Sequence, residues 1–108
     1  MIAQLGAAEV AAWLKDDARE KPLLIDVREP WEYAICHIEG AQLIPLQSIP
    51  NNLAQLPKDR DLVLICHRGN RSNVAAQWLA RNGYERLHNL RGGVAAWASE
   101  VDPTMARY

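Results

Sequence analysis

Residues 66–72 of this sequence, Cys-His-Arg-Gly-Asn-Arg-Ser, hold the side chains best suited to chemistry. They bring a thiol, an imidazole, two guanidinium groups and a hydroxyl together in one short segment. Gly69 and Asn70 are residue types that tolerate positive φ, so the backbone here can curl with its N–H groups facing inward. A curled loop followed by a helix N-terminus binds anions and favours the thiolate form of a nearby cysteine. We therefore expect Cys66 to attack an electrophilic atom of a small anion.

Cys66 also has a simpler interpretation, as a buried residue that ends a strand and behaves as a small hydrophobic side chain. That interpretation accounts for the cysteine alone. It does not account for the glycine, the two arginines and the predicted helix that follow. The reactive interpretation is favoured because thiols become nucleophilic beside cations and helix N-termini.

Four short apolar runs predict the strands that position this loop. The runs at 23–27 and 62–66 are continuous rather than alternating, which is typical of strands covered on both faces of a parallel sheet. The other two lie at 42–46 and, more weakly, 86–90. Cys66 ends its run, and open α/β sheets bind ligands beyond the carboxyl ends of their strands.

Helical patterns alternate with these runs. Residues 7–17 and 72–82 carry apolar stripes at helical spacing, so the second helix is expected to begin near Ser72. Shorter helices are expected over 49–56 and 94–100. The stripe of the second helix consists of Val74, Ala75, Trp78 and Leu79. Strands alternating with helices at this spacing predict right-handed βαβ units and the α/β class.

Length and composition limit the function further. The 108 residues fit one compact domain, and 49% of them are hydrophobic. A net charge of −1 favours neither nucleic acid nor a membrane as a partner. Neither cysteine belongs to a cluster with zinc-ligand spacing, so no metal site is expected, and no apolar run reaches the roughly 20 residues of a membrane span. The start lacks the pattern of a signal peptide, which favours a cytoplasmic protein with reduced thiols.

The pattern Cys66-x-x-Gly69-x-Arg71-Ser72 after an apolar strand resembles the active-site loop of the rhodanese superfamily. Three further segments, in order and at suitable spacing, are similar to other signatures of that family, so the likeness extends along nearly the whole chain. They are Leu24-Ile25-Asp26-Val27-Arg28-Glu29, the stretch from Glu32-Tyr33 to His37-Ile38-Glu39-Gly40-Ala41, and Leu90-Arg91-Gly92-Gly93-Val94-x-x-Trp97.

This resemblance implies one rhodanese-like domain over 1–108, with a three-layer fold in which helices flank a central, mostly parallel five-stranded sheet. It implies that Cys66 attacks thiosulfate or a similar donor, releases sulfite and carries the sulfur as a persulfide. Cyanide, a thiol or a protein cysteine then accepts that sulfur. The backbone N–H groups from His67 to Ser72 would hold the sulfur and the anion, with Asp26 and Arg28 as supporting residues. No metal or organic cofactor is implied.

Three other functions use the same features. A persulfide carrier or interaction module serving a partner protein would also need Cys66, whereas a regulatory domain without catalysis is disfavoured by the retained cysteine. A phosphatase or arsenate reductase is the remaining alternative. The related dual-specificity phosphatases have one more residue between cysteine and arginine. The four residues between Cys66 and Arg71 therefore favour sulfur over phosphate.

The roles of the charged and polar loop side chains stay open. Arg71 either binds substrate or anchors the loop to Asp26 or Glu29, and anchoring is favoured. Arg68 is then the better candidate for meeting the anion. His67 either shuttles a proton or contributes polarity. The Ser72 hydroxyl either donates to Cys66 or caps the helix.

Several residues outside the loop have both a structural and a functional interpretation. Cys36 is expected to fill space, with a resolving thiol for Cys66 as the alternative. His37 is expected to make structural hydrogen bonds. Trp31 is placed at the rim of the pocket, and the tail at 102–108 is expected to pack back on the surface. Three tryptophans, Trp13, Trp78 and Trp97, are assigned to the core.

Overall fold

Five parallel strands form the centre of the fold in the computed structural model, which describes residues 2–108. They are ordered β1-β5-β4-β2-β3, and every neighbouring pair is parallel. This confirms the predicted α/β class and the five-stranded sheet. The strands are β1 (Ala3–Leu5), β2 (Leu23–Asp26), β3 (Gln42–Leu43), β4 (Leu62–Ile65) and β5 (Leu87–Leu90).

Helices cover both faces of this sheet, which gives the three layers that were expected. On one face lie α3 and a 3₁₀ segment, and on the other lie α1 and α4. The bounds are α1 (Ala7–Lys15), α2 (Pro30–Ile35), the 3₁₀ segment Leu46–Gln55, α3 (Asn70–Arg81) and α4 (Gly93–Glu100). Within residues 2–108, no helix combines the length and the apolar character needed to cross a membrane.

Strand β4 shows why its sequence is apolar without interruption. All four of its residues are buried, and alternate side chains point to opposite faces of a strand. Leu62 and Leu64 join the core under α3, whereas Val63 and Ile65 join the core under α1 and α4. Since neither face meets solvent, no position in the strand favours a polar residue.

Two elements were not predicted from the sequence. Strand β1 has only three residues and no buried side chain, so it carries no apolar run; its pairing with β5 defines it. Helix α2 is too short for a periodic pattern. It begins at Pro30, and the Glu32 carboxylate accepts the Glu29 N–H at 2.9 Å across its first turn. Strand β3 is shorter than the predicted run at 42–46.

Helix α3 differs from the prediction at its start and on its face. It begins at Asn70 rather than near Ser72, because Gly69 takes a left-handed conformation (φ +100°) and turns the chain into the helix at once. Ala75 and Leu79 of the predicted stripe are buried and Trp78 is partly buried, but Val74 is 54% exposed. Ser72 takes the buried position instead, because it faces the end of the sheet.

The sheet register brings the chemically important residues to one edge. Asp26 of β2 is level with Ile65 of β4, and Leu64 of β4 is level with Asn89 of β5. Cys66 follows Ile65 directly. The carboxyl ends of three neighbouring strands therefore surround the start of the candidate loop, where open α/β sheets place their ligand sites.

Candidate functional site

The Cys66 sulfur lies inside the turn of the loop and is almost completely buried. The Gly69 N–H donates to Sγ at 3.0 Å, and Ser72 Oγ lies 3.3 Å from it. The positive φ expected near this turn is found at Gly69, whereas Asn70 has ordinary helical backbone and is exposed. The Gly69 N–H is thus a fixed donor to the sulfur, and the Ser72 hydroxyl lies within reach on the same side.

Ser72 connects the sulfur to a residue that the sequence did not indicate. Its buried hydroxyl lies 2.5 Å from Asn89 Oδ1 as well as 3.3 Å from Sγ. The hydroxyl does not cap α3, whose N-cap is Gly69. A hydroxyl has one proton, so it donates to one of these two acceptors at a time. Of the two proposed roles for Ser72, contact with Cys66 is the one found.

Asn89 is fixed in turn by its amide nitrogen. Nδ2 donates to the Gly69 carbonyl at 3.1 Å and to Gln4 Oε1 on the edge strand β1 at 2.8 Å. Its carbonyl oxygen is therefore directed at Ser72. In the sequence Asn89 is one of two polar residues between Leu87 and Leu90, a weak signal, and the structure shows that it is buried. Such residues are retained where they have hydrogen bonds to make.

The start of α4 holds the other end of the loop. The N–H groups of Val94 and Ala95 donate to the carbonyls of Cys66 and His67, both at 3.0 Å. Gly92 and Gly93 both have positive φ, and a Cβ on Gly93 would overlap those two carbonyl oxygens. Two consecutive glycines thus let the helix approach the loop backbone closely.

Arg71 anchors the loop, as predicted, but to a different partner. Its guanidinium makes a bidentate pair with Glu32 of α2, at 2.7 and 2.8 Å, rather than with Asp26 or Glu29. Asp26 is already paired with Arg28, and Glu32 lies buried beside the loop. The hydrogen bonds from Arg71 lower the pKa of Glu32 to about 2, although burial opposes the shift.

Asp26 and Arg28 form a second ion pair, completely buried below the mouth of the site. Arg28 donates to both carboxylate oxygens of Asp26, at 2.9 and 2.7 Å, and to the Cys36 carbonyl at 2.7 Å. It thereby ties the end of β2 to the end of α2. Arg28 thus holds the element that carries Glu32, and the supporting role of the pair in function stays a prediction.

A cavity of about 190 Å³ lies beside His67 and Arg68, the two residues that follow Cys66, and we take it as the mouth of the site, although Cys66 itself does not line it. Arg68 is exposed and lines this cavity, and its role in meeting the anion stays a prediction. Burial and the nearby charge of Arg68 lower the pKa of His67, which favours the neutral imidazole. Cys36 also lines this cavity, which nothing in the sequence indicated, and both cysteines are free thiols.

The chain end contributes more to the site than the sequence suggested. Residues Ala106, Arg107 and Tyr108 line the cavity, and the Tyr108 ring stacks on His67 with centroids 4.0 Å apart. Trp31 is 62% exposed and meets Tyr108 edge-on instead of lining the cavity itself.

The remaining aromatic and histidine predictions concern structure. His37 Nδ1 lies 2.9 Å from the Tyr33 carbonyl and its ring stacks on Tyr33, which agrees with the structural role expected. Trp13 and Trp97 are buried in the core.

Comparison with known proteins shows which family shares this sequence and fold. Residues 7–100 match the family described as the Rhodanese-like domain. The chain is 39% identical to a sulfurtransferase of Allochromatium vinosum, over 98% of this chain and 97% of that protein. It is 44% identical, over 93% of its length, to the probable adenylyltransferase/sulfurtransferase MoeZ of Mycobacterium tuberculosis, but it spans only 26% of that larger protein.

A solved structure gives the same result. The crystal structure of SSP1007 from Staphylococcus saprophyticus superposes with a TM-score of 0.83 at 30% identity, covering 93% of this chain and 97% of that one. Because the family match covers most of the sequence and one relative matches almost end to end, the chain belongs to the rhodanese-like domain family.

Proposed function

We propose that this protein transfers sulfane sulfur from thiosulfate, or a similar small donor, to a thiophilic acceptor through a persulfide on Cys66. The observation that carries the proposal is the placement of Cys66 Sγ, which faces the Gly69 N–H and the Ser72 hydroxyl inside a loop rimmed by arginines. A relative named sulfurtransferase that matches nearly the whole chain supports the same reaction.

The reaction consists of two displacements at sulfur. In the first, the Cys66 thiolate attacks the outer sulfur of thiosulfate; the S–S bond of the donor breaks and its electron pair leaves with sulfite. In the second, cyanide or a thiolate attacks the outer sulfur of the persulfide. Thiocyanate or a new persulfide leaves, and the Cys66 thiolate is restored. No net oxidation occurs, so no redox cofactor is needed.

The loop supports both steps in the same way. Negative charge lies on Sγ before attack and on the outer sulfur after it, and preorganised donors stabilise such charge without reorganising. The cavity of about 190 Å³ is smaller than the roughly 300–1,000 Å³ of pockets for drug-sized ligands, which suits a small anion. Arg68 at its wall supplies the positive charge that attracts the donor.

A persulfide carrier that serves a partner protein is the second candidate. Exposed Trp31 and Ile35 on α2 give the surface beside the mouth an apolar patch of the kind that proteins bind. The mycobacterial relative, whose name joins an adenylyltransferase to a sulfurtransferase, is a larger protein in which the matching region is one part. In this version the donor or acceptor is a protein, and Cys66 keeps its role.

Intact-mass spectrometry after mixing with thiosulfate tests the proposal. We expect a gain of one sulfur, about 32 Da, that cyanide removes. The gain should be absent in Cys66→Ser and retained in Cys36→Ser, which serves as the matched control because Cys36 lines the same cavity. Sulfur found on Cys36 would overturn the assignment of the carrier. Hydrolysis of an aryl phosphate without any sulfur uptake would overturn the reaction class.

A further inference from the structure

The segment after α4 crosses the mouth of the site instead of continuing away from it. It turns back at Asp102, whose N–H donates to the Trp97 carbonyl at 2.9 Å. Arg107 then binds the C-terminal turn of α4, through the Ala98 carbonyl and Ser99 Oγ, each at 3.2 Å. The backbone is thereby held against α4, and Tyr108 is delivered to the cavity beside His67.

Tyr108 is bound at both ends of its side chain. Its ring lies nearly parallel to that of His67, at an angle of 14°. Its hydroxyl accepts a hydrogen bond from Arg28 Nη1 at 2.9 Å and donates one to Glu32 Oε1 at 3.0 Å. Burial raises the pKa of Tyr108 above its ordinary value, so the hydroxyl keeps the proton that it donates.

These contacts make Tyr108 a bridge across the loop. His67 is the first residue after the candidate nucleophile, and Glu32 is the partner of Arg71 near the other end of the loop. The phenol therefore spans from one end of the loop to the anchor of the other. Along with Arg107 and Ala106 it forms one wall of the cavity, which limits the cavity to about 190 Å³.

We propose that Tyr108 is a specificity-determining residue, whose ring narrows the mouth of the Cys66 loop so that small donors and acceptors are preferred over bulky ones. The inference rests on the proposed function of Cys66. A small anion or cyanide fits within the cavity as it stands. A bulky thiol requires the ring to leave His67, and the hydroxyl then gives up its bonds to Arg28 and Glu32. Specificity of this kind comes from the cost imposed on the wrong partner.

Alkylation of Cys66 tests this gate without relying on sulfur transfer. In a Cys36→Ser background, Cys66 is the one cysteine left, and its labelling by iodoacetamide and by N-pyrenylmaleimide is followed by mass spectrometry. Tyr108→Ala should speed the reaction with the pyrenyl reagent by about tenfold or more, and that with iodoacetamide by no more than about twofold. Equal changes for both reagents, or no change for either, would contradict the proposal.

Two further variants distinguish the effect of the Tyr108 ring from that of its hydroxyl and from a general loosening of the surface around it. Tyr108→Phe keeps the stacking surface and loses the bonds to Arg28 and Glu32. Its rate of reaction with the pyrenyl reagent should therefore lie between those of wild type and Tyr108→Ala. Trp31→Ala removes an aromatic side chain that touches Tyr108 but lines no part of the cavity, and it should keep the wild-type selectivity. Selectivity lost to the same extent in Trp31→Ala would show a loosened surface rather than a gate at Tyr108.

Turnover completes the test. With thiosulfate as donor, Tyr108→Ala should raise kcat/KM for glutathione relative to cyanide, while the KM for thiosulfate stays within about threefold. A protein that forms no persulfide disproves the proposed function. The alkylation results still decide whether Tyr108 controls access to Cys66.

Discussion

The inner and outer sides of the Cys66 loop differ in burial and in the contacts that hold them. On the inner side, Ser72 and Asn89 are buried, and the contacts are neutral hydrogen bonds from Ser72 to Asn89 and from Asn89 to the Gly69 carbonyl. On the outer side, Arg68 is exposed, and the Arg71 side chain keeps 39% of its surface in solvent while it pairs with Glu32. The inner side fixes the position of the sulfur. The outer side meets the ligand and tolerates more change.

The largest effect is expected where the inner side leaves no room. Gly93→Ala would push a methyl group into the backbone carbonyls of Cys66 and His67, which cannot move aside as a side chain would. The substitution also places alanine at a positive φ. We expect a loss of at least about 5 kcal/mol, enough to unfold a domain at the low end of stability. Circular dichroism and solubility of the purified variant measure this.

Gly40→Ala is the matched control for that experiment. Gly40 has a comparable positive φ of 86°, but no atom lies within 4 Å of the added Cβ. Only the backbone strain of about 1–2 kcal/mol is expected. If the two variants lose the same stability, close packing of α4 on the loop is not what requires glycine at position 93.

A buried and an exposed ion pair, Arg28–Asp26 and Arg91–Glu9, extend the comparison to charge. Arg28→Met leaves Asp26 buried and unpaired, which should lower the free energy of unfolding by about 3–5 kcal/mol. The double variant with Asp26→Asn should recover part of the loss, because it removes the uncompensated charge. Arg91→Met removes an exposed arginine 4.0 Å from Glu9, and no measurable change is expected. Urea denaturation compares the three; no recovery in the double variant would contradict the charge explanation.

The sequence predicted what depends on local residue types. The apolar runs around 23–27 and 62–66 revealed the buried strands, and the glycine and arginines after Cys66 revealed the loop. The α3 start was misplaced by two residues because Gly69 enters the helix directly from its left-handed turn. Val74 was placed on the apolar stripe of this helix but is exposed, because helical periodicity does not show which side of the stripe the sheet covers.

Contacts between distant residues account for what the sequence could not predict. The bond between the Tyr108 hydroxyl and Glu32 joins residues 76 positions apart, so it depends on the path of the whole chain. Asp26 and Glu29 were the partners predicted for Arg71, but the structure pairs Asp26 with Arg28 and Arg71 with Glu32, a choice that depends on where α2 packs. Asn89 gave a weaker signal, since two polar residues, His88 and Asn89, in a four-residue strand are also what an edge position would show.

Asn89 provides an intermediate test of the inner side. Asn89→Ala removes the bonds to Ser72, Gly69 and Gln4, and should cost about 1–3 kcal/mol of unfolding free energy. It should also slow sulfur loading of Cys66 by about tenfold, because the Ser72 hydroxyl and the Gly69 turn, which both face the sulfur, lose their support. A double-mutant cycle with Ser72→Ala checks the connection. Additive effects on loading would mean that Asn89 does not act through Ser72.

The smallest effect is expected on the outer side, from the Arg71–Glu32 pair. The pKa of Glu32 is about 2, against an ordinary value of 4.5. The Glu32 carboxylate therefore contributes its full stabilisation above about pH 4.5, and this contribution is lost as the pH falls towards 2. Because Arg71 is partly exposed, screening reduces this contribution to about 1–2 kcal/mol at neutral pH.

Glu32→Gln should therefore be less stable than wild type at pH 7, and the difference should shrink as the pH is lowered from 4.5 towards 2. Asp17→Asn is the control, since Asp17 is fully exposed in its pair with Lys21 and should show no such convergence. Urea denaturation at several pH values measures both variants. A difference between Glu32→Gln and wild type that stays constant with pH would assign the loss to the geometry of the carboxylate rather than to its charge. The outer side would then be held in the same way as the inner side.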